Sequence, residues 1–212
     1  MKRLHFLLTE VLWPRKLICL CCAENSGGEF LCADCARELD ALRLDPSDRL
    51  VNSACSIWRY SGCVSRLILS LKLKCLADAA EVLADGMAEA VCDLALPADT
   101  VVTWVSMPQR RLRERGIDHG RILCEAVARR CGLSARQLLC RSKRVHTQRG
   151  LNREQRMSNL AGSVAAIGPV NVPVLLIDDV LTTGATASVC TQVLKRAGAP
   201  EVYVLTAARV SV

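Results

Sequence analysis

Residues 50–212 read as an α/β domain, a mainly parallel sheet flanked by helices, with a small cysteine-rich module in residues 1–45. Three observations predict this. A short unbroken apolar run at residues 174–177, and a largely apolar one at 101–105, have the composition of strands buried on both faces. Each is followed by a polar or small-residue loop and then by helical spacing, the order that builds parallel sheets. Near the start, two Cys-x2-Cys pairs lie nine residues apart, Cys19/Cys22 and Cys32/Cys35.

Bulk properties narrow the function. The chain has 212 residues, 51% of them apolar, so one ordinary domain plus a small appendage can bury a core. Aromatic residues are 3%, too few for base-stacking platforms. No apolar run reaches the ~18–20 residues of a membrane span. The first 15 residues start basic and apolar, but Glu10 and Pro14 interrupt them and no small-residue cleavage site follows, so they do not read as a signal peptide. Thirteen cysteines in an enzyme-like chain suggest a reducing cytoplasm. The net charge of +7 is concentrated: residues 109–156 hold 14 Arg/Lys against 4 Asp/Glu, a local +10. That segment is either an Arg-rich solvated surface or one that meets polyanions, such as pyrophosphate in a site or nucleic acid across it.

In chain order, residues 4–13 carry apolar residues at Leu4, Leu7, Leu8, Val11 and Leu12, a short helix ending before Pro14. Cys19, Cys22, Cys32 and Cys35 flank a turn-rich stretch able to fold back, and four such thiolates suit a tetrahedral structural Zn2+. Cys21 is a spare that could replace Cys22. The nine cysteines outside the set of four mostly sit singly among apolar residues, as small core side chains do. Residues 36–50 read as a short helix and a polar link that ends the module. Residues 53–60 read as a strand, 64–74 and 77–94 as amphipathic helices, the second stopped by Pro97. The strand at 101–105 leads into a basic loop, QRRLRERGIDHGR, and residues 118–131 form a helix. Residues 138–140 make a short strand. Residues 141–156 lack apolar periodicity and are rich in cations. The strand at 174–177, a helix over about 185–197 stopped by Gly198 and Pro200, and a strand at 202–208 complete the domain.

The chemistry concentrates at residues 174–186, VLLIDDVLTTGAT. Here a buried strand is followed at once by Asp178 and Asp179, then by a small, hydroxyl-rich loop and a helix start. Ligands of open α/β sheets bind beyond the carboxyl ends of strands. A glycine-containing loop opening a helix suits a phosphate. Two acids would repel that phosphate; they suit hydroxyls, a divalent cation, or both. A ligand with all these features is a sugar phosphate such as phosphoribosyl pyrophosphate (PRPP). The bland alternative is that the acids end a strand and Thr182 or Thr183 caps a helix.

IDDVLTTGAT resembles the PRPP-binding motif of the type I phosphoribosyltransferases. The resemblance implies that Asp178 and Asp179 hold the ribose hydroxyls. It implies further that Leu181, Thr182, Thr183, Gly184, Ala185 and Thr186 wrap the 5′-phosphate. Strand, Pro108, Arg113, Arg115 and Gly116 are similar to the pattern of the ComF-like (competence protein F) branch. The cysteine pairs, the segment 60–72, and Arg141, Thr147, Gln148, Leu151, Arg156 and Asn159 also fit that branch. Nearly the whole chain is covered. The family's RGFNQ stands here as Arg115-Gly116-Ile117-Asp118-His119, and His119 reads as a capping or surface group before it reads as an acid or base. The resemblance implies a zinc-ribbon-like module and a loop over 141–156 that closes on the site. It also implies an enzyme that binds PRPP with Mg2+ and transfers ribose 5-phosphate to an acceptor the sequence does not name, in a DNA-uptake (competence) context. Lys72, Arg113 and Arg115 are the candidates for the pyrophosphate. The other reading is a non-catalytic accessory protein that retains the fold and binds single-stranded DNA or a partner such as a DNA-uptake helicase.

Overall fold

The computed structural model describes residues 18–51, 53–74, 76–141 and 163–210. The helix expected at residues 4–13 lies outside the described residues. So does the cationic stretch beyond Arg141, with its expected closing loop.

The cysteine-rich segment folds back on itself through an antiparallel bridge between Ile18 and Asn25. The Cys19 N–H donates to the Glu24 carbonyl at 2.8 Å. Helix α1 (Ala33–Ala41) begins directly after Cys32, earlier than the expected residue 36. Cys32 is thereby its N-cap and Cys35 sits in its first turn, which brings the two sulfurs to one side of the helix. The polar link runs beside the strand that follows it, residues 54–59. A single 3₁₀ turn (Pro46–Asp48) and strand β1 (Leu50–Val51) lead to β2 (Ala54–Arg59). Leu44 donates its N–H to Ile57, and Arg59 donates to Leu42.

Helices α2 (Gly62–Leu73) and α3 (Ala77–Asp93) follow, close to the expected bounds. Strand β3 (Val101–Trp104) then leads to α4 (Gln109–Arg115), a helix where a basic loop was expected. Only Leu112 is apolar in its seven residues, so it carries no stripe to betray it. An Arg110–Glu114 pair one turn apart supports it, and Gly116 ends it at φ 76°, a left-handed C-cap. Helix α5 (His119–Cys131), strands β4 (Ser134–Ala135), β5 (Leu139–Arg141) and β6 (Val164–Ala166) come next. Strand β7 (Val174–Leu181), helix α6 (Ala185–Arg196) and strand β8 (Val202–Arg209) close the fold.

Among the described residues the main sheet has the order β1-β2-β8-β7-β3-β4, while β5 and β6 form a separate antiparallel pair. Every pairing in the main sheet is parallel except β1 with β2. The expected mainly parallel α/β sheet flanked by helices is therefore what the chain forms. Alternation along β7 sorts its side chains between two cores. Leu175 and Ile177 pack with Leu67 and Leu71 of α2, Leu83 and Met87 of α3, and Leu123 and Val127 of α5. Val174 and Leu176 pack with Val189, Cys190 and Leu194 of α6. Cys19 and Cys35 belong to the first core, so the cysteine-rich segment shares its interior with the sheet domain.

One difference from the sequence expectation positions the site. Asp178 and Asp179 do not follow β7; they lie inside it. Strand β8 runs on to Arg209 and keeps pairing with β7 as far as Leu181. Strand β3 stops pairing at Trp104, opposite Ile177. Val105 leaves β7 and bridges to Leu139 instead. Residues 178–181 are thus held from one side and open toward the other, at the carboxyl end of the central strand.

Candidate functional site

The same alternation that divides the core divides the two acids. Asp179 continues the face of Leu175 and Ile177, toward α2 and α5. Asp178 continues the face of Val174 and Leu176, toward α6. Lys72, on the last turn of α2, places its Nζ 2.6 Å from Asp179 Oδ1. His119, the first residue of α5, places Nε2 3.4 Å from Asp179 Oδ2. The side chains of Lys72, His119 and Asp179 are 26%, 19% and 11% exposed. Asp178 Oδ1 accepts the Asp179 N–H at 2.9 Å.

The two carboxyls titrate apart. Burial raises the Asp178 group to about 6, and the neighbouring Asp179 charge adds to that rise. Burial pushes Asp179 upward too, but His119 and the Lys72 charge outweigh it and hold Asp179 below the usual carboxylate range. Burial, with a smaller contribution from the Asp178 charge, pushes the buried Cys190 thiol up to about 12.

A cavity of about 270 Å3 lies above the acids. Lys72, Ser106, Arg111, His119, Arg141 and Thr186 line it together with Asp178 and Asp179. Two polar atoms at its wall, His119 Nδ1 and Arg141 Nε, are buried without a hydrogen-bond partner among the described residues. Such groups are costly to leave unpaired, so they mark where a ligand's polar atoms are wanted. A larger cavity of about 480 Å3 adjoins it, sharing Ser106, Met107, Pro108, Asp118 and Arg141. Asp118 holds the wall between the two. It accepts from Trp104 Nε1 at 3.2 Å, from Met107 N–H at 3.1 Å, and caps α5 through Arg121 N–H at 3.3 Å.

The loop after β7 turns into α6 through Gly184, whose φ of 74° is the left-handed conformation glycine takes without cost. Thr183 Oγ1 accepts the Ala185 N–H at 3.4 Å. Thr182 and Thr183 are exposed, Gly184, Ala185 and Thr186 half-buried, and the Leu181 side chain is buried in the second core. The structure thus gathers Asp178, Asp179, Thr186 and Lys72 around one cavity, with the remaining loop residues beside it. Of the pyrophosphate candidates, Lys72 faces a carboxylate. Arg113 is exposed on α4 and does not line the cavity, and the side chain of Arg115 lies outside the described residues. Arg111 was not singled out from the sequence, and its position in a cationic run without periodicity gave no signal to single it out. Arg141 was noted only as part of a family pattern.

At the other end of α2 the four cysteines converge. The sulfurs of Cys19, Cys22, Cys32 and Cys35 all lie within 4.8 Å of one another, with Cys22 and Cys32 at 3.6 Å. Four sulfurs around one Zn2+ sit ~3.7–3.8 Å apart, given Zn–S bonds of ~2.3 Å, so the set fits a tetrahedral ion. Burial opposes ionisation of Cys19, but backbone N–H groups of Cys22, Cys32 and Cys21 draw it down to about 6. Burial and the neighbouring thiols push Cys35 up, a crowding that a divalent cation would reverse. Among the described residues no helix is long and apolar enough to cross a membrane.

Comparison with known proteins places this geometry in context. No family model matches the chain. The DNA utilization protein YhgH of Salmonella typhi is 29% identical over 198 residues, covering 90% of this chain and 84% of that protein. The protein of the same name from Salmonella typhimurium is 31% identical over 167 residues, covering 75% and 71%. Among solved structures, the glutamine PRPP amidotransferase from B. subtilis complexed with ADP and GMP superposes with a TM-score of 0.44 and 23% identity. It covers 61% of this chain, which spans only 26% of that longer one. A hypoxanthine phosphoribosyltransferase from Staphylococcus aureus gives a TM-score of 0.39 at 14% identity, over 61% and 62% of the two chains.

Proposed function

Since this chain belongs to the family of the DNA utilization protein YhgH, we propose that it serves DNA utilization as a phosphoribosyltransferase. In this reading it binds PRPP as its magnesium complex and transfers ribose 5-phosphate to an acceptor. The observation that carries the reading is the pair Asp178 and Asp179 at the open edge of β7, across one cavity from Thr186 and the Gly184 turn into α6.

Each residue has a chemical task. Asp178 and Asp179 accept hydrogen bonds from the ribose 2′- and 3′-hydroxyls. The backbone from Leu181 to Gly184 and the first turn of α6 receive the 5′-phosphate, with the Thr182, Thr183 and Thr186 hydroxyls donating. Displacement at the ribose builds positive charge on the sugar and negative charge on the departing pyrophosphate. Catalysis is then positioning and charge stabilisation. Lys72 balances Asp179 until the sugar arrives. Arg111 and Arg141 join Lys72 as cations facing the pyrophosphate, and Arg113, exposed on α4, adds positive charge further out. Zn2+ on Cys19, Cys22, Cys32 and Cys35 is structural, since four protein ligands leave no open position.

Titration calorimetry with PRPP, with and without Mg2+, tests this. Mg2+-dependent binding to the native chain, lost in Asp178→Asn/Asp179→Asn, is the expected result. Absence of binding to folded, zinc-loaded protein would sink the reading.

The exposed cationic face of α4 favours a second reading, a non-catalytic module for single-stranded DNA or a partner of the DNA-uptake machinery. Neutralising several phosphates makes such binding fall steeply with salt. A single-stranded oligonucleotide held by six phosphate contacts should bind roughly 300-fold more weakly at 200 than at 50 mM salt; a loss of that order would favour this reading, and salt-insensitive binding would sink it.

A further inference from the structure

The four-cysteine set leaves a neighbouring thiol pair unassigned. Cys21 and Cys63 place their sulfurs 2.9 Å apart, closer than two non-bonded sulfurs normally rest. Cys21 lies between two members of the set; Cys63 is the second residue of α2, 42 positions further on. Cys21 is half-buried, whereas Cys63 is fully buried. The Cys21 sulfur also lies 3.6 Å from the Cys63 carbonyl. Cys35 lies within 4.8 Å of both sulfurs, but it belongs to the zinc-compatible set as well, and an ion there would occupy it. A disulfide requires an S–S distance of ~2.05 Å, so the pair needs to close by less than about 1 Å.

We propose that Cys21 and Cys63 are a redox-sensitive pair that a hydroperoxide converts to a disulfide, tying the cysteine-rich module to the helix that carries Lys72. The more exposed Cys21 sulfur attacks the O–O bond of hydrogen peroxide. It becomes a sulfenic acid, and one water leaves. The Cys63 sulfur then attacks the Cys21 sulfur, forming the S–S bond and expelling the second water. Two electrons pass from the sulfurs to the peroxide, and both thiol protons end in water. The Cys22–Cys32 pair, at 3.6 Å, lies inside the four-cysteine set and is protected while a metal holds it. This proposal does not depend on which ligand fills the Asp178–Asp179 cavity.

The test uses the full chain loaded with zinc and treated with one equivalent of hydrogen peroxide. It is followed by peptide mapping without reductant and by a colorimetric chelator that reports released zinc. The expected result is a Cys21–Cys63 cross-linked peptide, a loss of two hydrogens, no zinc release, and full reversal by dithiothreitol. Cys21→Ser, and separately Cys63→Ala, should lose the cross-link while retaining zinc. A cross-link that instead recruits Cys35 with zinc release, or oxidation of Cys21 with no cross-link, or no reaction, overturns the proposal. The native chain alone yields each of these outcomes, so the test survives a variant that fails to fold.

Discussion

Asp178 shows how a proposed binding group is held at a cost to stability. Its raised group is protonated in the folded chain over a range where the unfolded chain has already ionised. Stability tied to it is therefore full below the ordinary aspartate range and is lost as pH rises through about 6. Asp178→Asn should leave stability near pH 4 almost unchanged and raise it at pH 7–8 by about 2–3 kcal/mol, read from urea melts across pH. The same substitution should weaken PRPP binding, so gain and loss separate in one variant. Asp118 is the opposite case, an acid whose three backbone and indole donors make it structural. Asp118→Ala should destabilise by about 2–4 kcal/mol in chemical denaturation, from a lost cap and orphaned donors. At this scale the motif residues were legible in the sequence, because Asp178, Asp179 and Thr186 are neighbours in it. Lys72 was singled out as a pyrophosphate candidate, but its pairing with Asp179 was not legible. Its contact with Asp179 spans 107 positions, and only the packing of α2 against β7 brings the two together.

Elements were legible where they bury a stripe. Helices α2, α3, α5 and α6 and strands β2, β3, β7 and β8 each present apolar residues at the period of their kind. Helix α4 escaped because its seven residues hold one apolar side chain, and β4 and β6 because two or three residues carry no period; β5 was read one residue early, at 138–140. Close approach between elements is likewise invisible beforehand. Gly86 sits in the middle of α3, where alanine is the better helix former. Yet a Cβ there would come within 2.5 Å of the Trp58 ring. Trp58 is buried on β2 and has no room to retreat. Gly86→Ala should therefore destabilise by about 1–3 kcal/mol in thermal or chemical unfolding, against the ~1 kcal/mol that propensity alone would add.

For the whole molecule, the cysteine-rich segment and the sheet domain are joined through one core, because Cys19 and Cys35 pack with the residues of α2 and α3. Glu38 of α1 strengthens the joint by accepting the Cys63 N–H at 3.0 Å and pairing with Arg66 at 2.5 Å. Metal removal should therefore not unfold the module alone. A strong chelator should release one Zn2+ per chain, measured by atomic emission, and lower the single melting transition of the entire chain by several degrees. Two separate transitions, with the upper one unmoved, would contradict the shared core. The division of labour at this scale was readable from composition: a cysteine-rich beginning, an α/β body and a basic middle. What no composition reveals is where one strand stops relative to its neighbour. Because β3 gives out opposite Ile177 while β8 continues to Leu181, the proposed ligand space is a length difference between strands. Such a site can be abolished by addition. Inserting two β-branched residues after Trp104 would let β3 pair onward with Asp178 and Asp179, fill the opening with backbone and silence the protein with every functional side chain still present. The length of β3 is in that sense a functional residue that no substitution scan would find.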